Sequence, residues 1–126
     1  MKRNLLFLLL CLLPAAVFAQ LDRGTITGLV TDPTGAVVPG VKVTVRNTAT
    51  GAVYETVSSQ AGQYTQPNLP AGAYQLTFAA EGFKRLVRSG IEVEATAVLR
   101  IDATVQLGSR AESVEVTAEA PRLQTD

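Results

Sequence analysis

The sequence predicts an all-β fold: an antiparallel two-sheet sandwich of about seven strands, of immunoglobulin-like size, preceded by a signal peptide. From Gly24 onward, β-branched and aromatic residues alternate with polar residues at a period of two, which is typical of half-buried strands. Gly, Pro and Asn interrupt this alternation at short intervals, as turns require. No helical periodicity intervenes, and 126 residues leave room for one such domain.

The first half of the domain is expected to contain a strand, a turn and a hairpin. Residues 24–31 alternate as a strand, and the Asp-Pro-Thr-Gly sequence at 32–35 predicts a turn. Residues 41–46 form the next strand, and the polar loop at 47–51 leads into a return strand at 52–58. The side chains expected in the core are Ile26, Val30, Val41, Val43 and Val45.

The second half continues the same pattern. A short strand around Tyr64 lies between turns at 61–62 and 67–72, and residues 72–79 then show the most regular alternation. Glycines at 82 and 90 predict turns on both sides of a strand at 83–88. Residues 98–107 are expected to form one strand. The inward side chains are Tyr74, Leu76, Phe78, Leu99, Ile101, Ala103, Val105 and Leu107.

The amino terminus predicts export across the inner membrane. Lys2 and Arg3 precede an apolar run at 5–13, and small residues then lead to a cleavage site between Ala19 and Gln20. This run is shorter than the roughly 20 residues of a spanning helix. Cys11 follows a leucine, whereas a lipidation motif has a small residue there. Residues 1–19 are therefore interpreted as a cleaved signal peptide, and the mature chain lacks cysteine.

Composition argues against catalysis and nucleic-acid binding. The chain contains no histidine, which excludes Ser/His/Asp and Cys/His nucleophiles and His-based zinc sites. Glu92 and Glu94 are expected on a solvent face, and no cofactor or metal site is predicted. Without Lys2 and Arg3, nine of the 11 basic residues remain against 11 acidic ones, so the mature domain is not basic. We interpret the basic cluster at 84–88 as charged side chains on an edge strand, which discourage aggregation between sheets.

Four motifs, in this order and spacing, resemble the carboxypeptidase regulatory-like domain family. They lie at residues 24–45, 61–64, 69–74 and 81–83. The resemblance implies a transthyretin-like (prealbumin-like) sandwich without catalytic or metal-binding residues of its own. The expected organisation is a signal peptide at 1–19, the sandwich domain at 20–108 and a junction segment at 109–126.

Such domains also occur at the amino terminus of TonB-dependent outer-membrane receptors, and the junction segment resembles the part that precedes the plug. Because no plug or barrel strands follow, the chain is expected to be either a fragment of a longer receptor or a stand-alone domain. The resemblance to the energy-coupling TonB box covers Glu112, Ser113, Val114, Glu115, Val116, Thr117 and Ala118. Such a box adds as a strand to a sheet edge of TonB. The alternative is an extra strand of the sandwich itself, which alternation alone does not distinguish.

The functional expectation is a non-catalytic interaction module in the periplasm or outer membrane of a Gram-negative bacterium. Its expected partners are proteins, with TonB or an outer-membrane barrel and plug as candidates. One alternative is a carbohydrate-binding or adhesive domain, in which Tyr54, Tyr64 and Tyr74 would stack on sugars. Another is an accessory domain for a separate peptidase.

Cleavage after Ala19 is the first testable expectation. Mass spectrometry of the exported product should give a chain that begins at Gln20, because the charged start, apolar run and small residues match a signal peptide. An exported chain that retains Met1, or one with lipid on Cys11, would contradict it.

Overall fold

The computed structural model describes residues 23–117, and these form an all-β sandwich without helices. The predicted fold class is confirmed. The predicted signal peptide at 1–19 and the final residue of the predicted box, Ala118, lie outside the described residues. In chain order the strands are β1 (Arg23–Thr31), β2 (Lys42–Asn47), β3 (Val53–Val57), β4 (Gln63–Pro70), β5 (Gly72–Ala79), β6 (Arg85–Val93), β7 (Val98–Arg100), β8 (Ala103–Thr104) and β9 (Ser113–Thr117).

The two sheets are mixed, whereas the sequence pattern predicted antiparallel ones. One sheet has the order β4-β1-β7, with β8 pairing farther along β1, and the other has the order β3-β2-β5-β6-β9. Strands β7 and β8 run parallel to β1, and β9 runs parallel to β6. After β6 the chain crosses to the first sheet and then returns. Alternation reports which face a residue occupies but not the direction of its neighbour, so the pattern could not show this.

The core lies between the sheets and contains most of the side chains that alternation predicted. Leu99 and Ile101 pack against it partly buried, and Leu107 lies outside it. Tyr64 of one sheet and Phe78 of the other meet edge to face, with ring centroids 5.5 Å apart and an interplanar angle of 75°. Such pairs add to the burial of apolar surface that stabilises the sandwich. The side chains that are at most 1% exposed are Ile26, Val30, Val41, Val43, Val45, Tyr64, Leu69, Tyr74, Leu76, Phe78 and Val105.

Two predicted turns fall wholly or partly on β-bulges. Of the turn predicted at 67–72, only Ala71 lies between strands β4 and β5. Strand β4 continues through Pro67 and Asn68, which together oppose Thr25 and so shift the register. Proline is tolerated there because β4 is an edge strand. Strand β6 continues through Gly90, whose φ of 74° marks a second bulge. Because β9 covers β6, the basic cluster at 84–88 does not lie on an edge strand, contrary to the prediction.

The predicted strand at 98–107 is interrupted, and Leu107 is 70% exposed rather than inward. The interruption lies at Ile101 and Asp102, where the Asp102 carboxylate accepts a hydrogen bond of 2.9 Å from the Leu29 N–H. Beyond Val105 the chain leaves the first sheet, and Leu107 forms a bridge with Phe83 instead. The inward row therefore ends at Val105.

Truncation of Phe78 tests this assignment of faces. Phe78→Ala should lower the free energy of unfolding by about 3–5 kcal/mol, because the ring is fully buried and leaves a cavity. Lys42→Ala should change it by less than about 1 kcal/mol, since Lys42 is exposed and its ion pair with Glu55 is solvated. Denaturant midpoints give both values. Equal losses would contradict the assignment.

Candidate functional site

The structure places the predicted partner-binding segment at one edge of the five-stranded sheet. Residues Ser113–Thr117 form β9, with Ser113 opposite Arg85 and Thr117 opposite Ser89 of β6. Glu112 precedes the strand, and its carbonyl accepts a hydrogen bond of 2.8 Å from the Arg85 N–H. In the isolated chain the segment is thus an additional strand of the sandwich. Its binding to a partner stays a prediction.

A compact turn leads into β9. The Glu112 N–H donates to the Ser109 carbonyl at 2.9 Å, and the Ser109 N–H donates to the Glu112 carboxylate at 3.1 Å. Gly108 precedes this turn with a φ of 156°, a backbone conformation that residues with a Cβ rarely adopt. These contacts fix where β9 begins. They do so with local polar groups rather than with buried apolar side chains.

Side-chain burial attaches β9 only weakly. Val114 is the one residue of the strand that packs, half-buried, against the core. Val116 faces the same way but is 40% exposed, and Ser113, Glu115 and Thr117 are exposed. Docking of β9 therefore depends mainly on main-chain hydrogen bonds, whose net contributions are small. A strand with so little buried apolar surface belongs to the least stable part of a domain.

The outer edge of β9 offers unpaired main-chain groups. The bond from the Arg85 N–H to the Glu112 carbonyl fixes which residues point toward β6. Since the backbone alternates, Val114 and Val116 direct their N–H and C=O groups to β6, and Glu112 directs its carbonyl there. Ser113, Glu115 and Thr117 direct theirs to the open edge, where they form a template for another strand.

The other open edges of the sandwich are less suited to strand addition. Strand β4 is interrupted by its bulge at Pro67, and β7 has only three residues. Strand β3 is regular and has five residues, as β9 does. At its centre, however, Glu55 already forms an ion pair with Lys42 at 3.4 Å.

The tyrosines do not form the sugar-stacking surface of the alternative interpretation. Tyr64 and Tyr74 are buried, and their hydroxyl groups donate to the carbonyls of Ile101 and Pro70. Burial raises the pKa of the Tyr64 phenol far above its ordinary value. Tyr54 is half-buried against the core. These side chains therefore stabilise the sandwich.

Residues 23–117 contain neither a cluster of metal-ligating side chains nor a membrane-spanning helix. Within this range no three side chains of the metal-ligating types His, Cys, Asp or Glu come together. Over the same residues, no helix has the length and apolar character to span a bilayer. Glu92 and Glu94 are exposed, as expected.

The structure also brings together a group of residues that sequence reasoning missed. A groove of about 350 Å³ lies on the outer face of the five-stranded sheet. Alternation did place Lys42 and Thr44 on a solvent face, but their neighbours come from distant parts of the chain, so only the strand order shows the groove. Its lining residues are Lys42, Thr44, Thr77, Ala79, Arg85 and Arg110.

Comparison with known proteins identifies the domain. The model of the carboxypeptidase regulatory-like domain matches residues 25–106. The chain belongs to this family. The match covers the sandwich from β1 to the crossing beyond β8 and ends before β9. Over the matched residues, the resemblance inferred from the motifs is confirmed.

One sequence relative and two solved structures are similar to this chain. The TonB-dependent transporter Oar of Myxococcus xanthus is 32% identical over 111 residues, which is 86% of this chain and 10% of that protein. The chain thus spans about a tenth of that relative. The Bacillus anthracis TIE protein has a TM-score of 0.59 at 20% identity, over 68% of this chain and 17% of its own. The GBS52 minor pilin of Streptococcus agalactiae has a TM-score of 0.56 at 11% identity, over 70% of this chain and 46% of its own. The two solved structures support the fold.

Weak docking of β9 has a measurable consequence. Val114→Ser should increase amide exchange in β9 about tenfold or more, because it removes much of the buried apolar surface of the strand. Val116→Ser is the matched control and should have a smaller effect, since Val116 is more exposed. Native-state hydrogen exchange followed by NMR measures both. If the β9 amides exchanged only through global unfolding, at the same rate as the amide of Leu76 in β5, weak docking would be contradicted.

Proposed function

We propose that this chain is a non-catalytic interaction module: the amino-terminal extension of a TonB-dependent outer-membrane transporter in a Gram-negative bacterium. Its family membership and its similarity to the Myxococcus xanthus transporter support this context. The observation that carries the proposal is the edge strand β9, which is regular, exposed and weakly buried. It lies within the segment at 112–118 that resembles a TonB box.

The proposed contact is strand addition to the open edge of β9. An edge strand of TonB would pair with the N–H and C=O groups of Ser113, Glu115 and Thr117. No hydrogen bond between β6 and β9 has to break, so the two proteins would share one continuous sheet. The exposed side chains of β9 would give specificity, since main-chain pairing alone is independent of sequence.

A non-catalytic role agrees with the chemistry of the described residues. The phenols of Tyr64 and Tyr74 are engaged in internal hydrogen bonds, and Glu92 and Glu94 are exposed to water. The same buried tyrosines give no support to carbohydrate binding.

Site-directed cross-linking tests the proposed contact. Glu115→Cys should form a disulfide with single-cysteine variants of the carboxy-terminal domain of TonB, because position 115 lies at the centre of the open edge. The matched control is Glu55→Cys, at the centre of the five-residue strand β3 on the opposite edge of the same sheet. Equal cross-linking at both positions, or none at 115, would refute the proposal.

Hydrogen exchange in the complex separates edge addition from removal of β9. On edge addition, the amides of Ser113, Glu115 and Thr117 should gain protection while those of Val114 and Val116 keep theirs. If TonB instead pulls β9 away, the β6 amide of Val87, which faces β9, should lose protection. Loss of protection at Val87 would support TonB as the partner but contradict addition at the open edge of β9.

A further inference from the structure

The groove on the outer face of the five-stranded sheet has the composition of an anion-binding site. Three cationic side chains surround it, from Lys42 of β2, Arg85 of β6 and Arg110 of the turn before β9, and none of its lining residues is acidic. Thr44 and Thr77 lie opposite each other in its floor. Within residues 23–117, neither threonine side chain makes a hydrogen bond, so both hydroxyls are available to a ligand.

The existing ion pairs leave the groove positive. Lys42 pairs with Glu55 and Arg110 pairs with Glu81, each at 3.4 Å, and all four side chains are more than half exposed. Exposed pairs of this kind contribute only about 0–1 kcal/mol, so both cations can turn toward a ligand at small cost. Arg85 forms no ion pair with any described residue. Its guanidinium is the group best placed to bind an oxyanion in bidentate fashion.

We propose that this groove binds a phosphate or carboxylate group of a small polar ligand, held by Arg85, Arg110 and Lys42. The volume of about 350 Å³ suits a ligand of roughly monosaccharide size. The threonine hydroxyls supply hydrogen bonds to the neutral part of that ligand. This site does not overlap the TonB contact, because the groove lies on the face of the sheet and not on its edge.

Ligand binding in the groove stabilises the docking of β9. Arg110 belongs to the turn at 109–112, and the Arg85 N–H holds the carbonyl of Glu112 at the start of β9. An anion that bridges the two guanidinium groups therefore ties this turn to β6. A ligand that binds the docked form preferentially shifts the equilibrium toward it.

Titration with inorganic phosphate tests the site, with sodium chloride at matched ionic strength as the reference. The amide signals of Thr77, Arg85 and Arg110 should shift in NMR spectra and saturate with phosphate but not with chloride. Arg85→Gln should weaken binding about tenfold, as expected for loss of a charged hydrogen bond. Arg46→Gln is the matched control, because Arg46 is exposed on the same sheet face but does not line the groove.

Two further measurements test which group of the ligand is recognised and whether ligand binding stabilises the docking of β9. Glucuronate should bind at the same residues and glucose should not, which separates recognition of the anionic group from recognition of sugar hydroxyls. Saturating phosphate should slow amide exchange at Val114 and Val116. Shifts that do not saturate, or that are equal in Arg85→Gln and Arg46→Gln, would overturn the site. Saturable binding without slower exchange would overturn the coupling. Failure of the TonB cross-link would leave both results unaffected.

Discussion

The close approach of Ile101 to Gly28 is the constraint on which the rest of the sandwich depends. A Cβ at Gly28 would lie only 1.9 Å from the Ile101 carbonyl oxygen, so no other residue fits at this position of β1. The Tyr64 hydroxyl donates to the same carbonyl from the core side. The Ile101 peptide group thus joins the central strand β1, the edge strand β4 and residues 98–106, the crossing segment, which lies along β1 before the chain returns to β6. Strands β7 and β8 lie on either side of it along β1.

This contact also determines where the candidate site lies. Once the crossing segment is fixed on β1, the Val105 N–H bonds to Thr31, and the next carbonyl, that of Gln106, accepts from the Lys84 N–H. Two consecutive residues therefore connect the two sheets. The chain then reaches the beginning of β6 and runs alongside it, so β9 is parallel to β6. The position of the open edge is thus a result of packing near Gly28, on the other sheet.

The sequence could predict which side chains face the core but not which strands pair with each other. Val43, Leu76 and Phe78 were expected in the core and are fully buried, because burial on one face imposes a period of two. The bulge at Gly90 was mistaken for a turn, since a positive φ is common to both structures. Residues 113–117 were expected to be extended, and they are, but nothing local indicates β6 as their neighbour. The groove was not predictable because Lys42, Arg85 and Arg110 meet only through the strand order.

The five-stranded sheet carries a glutamate at the centre of each of its two edge strands, Glu55 in β3 and Glu115 in β9. If two copies joined antiparallel through matching edges, these glutamates would face each other, and like charges directly opposite destabilise a strand pair. A central charge on an exposed edge is a common protection against aggregation. At β3 the charge is already balanced by Lys42, whereas Glu115 forms no ion pair with a described residue. The β9 edge therefore disfavours its own copy and favours a partner strand that places a basic residue opposite Glu115.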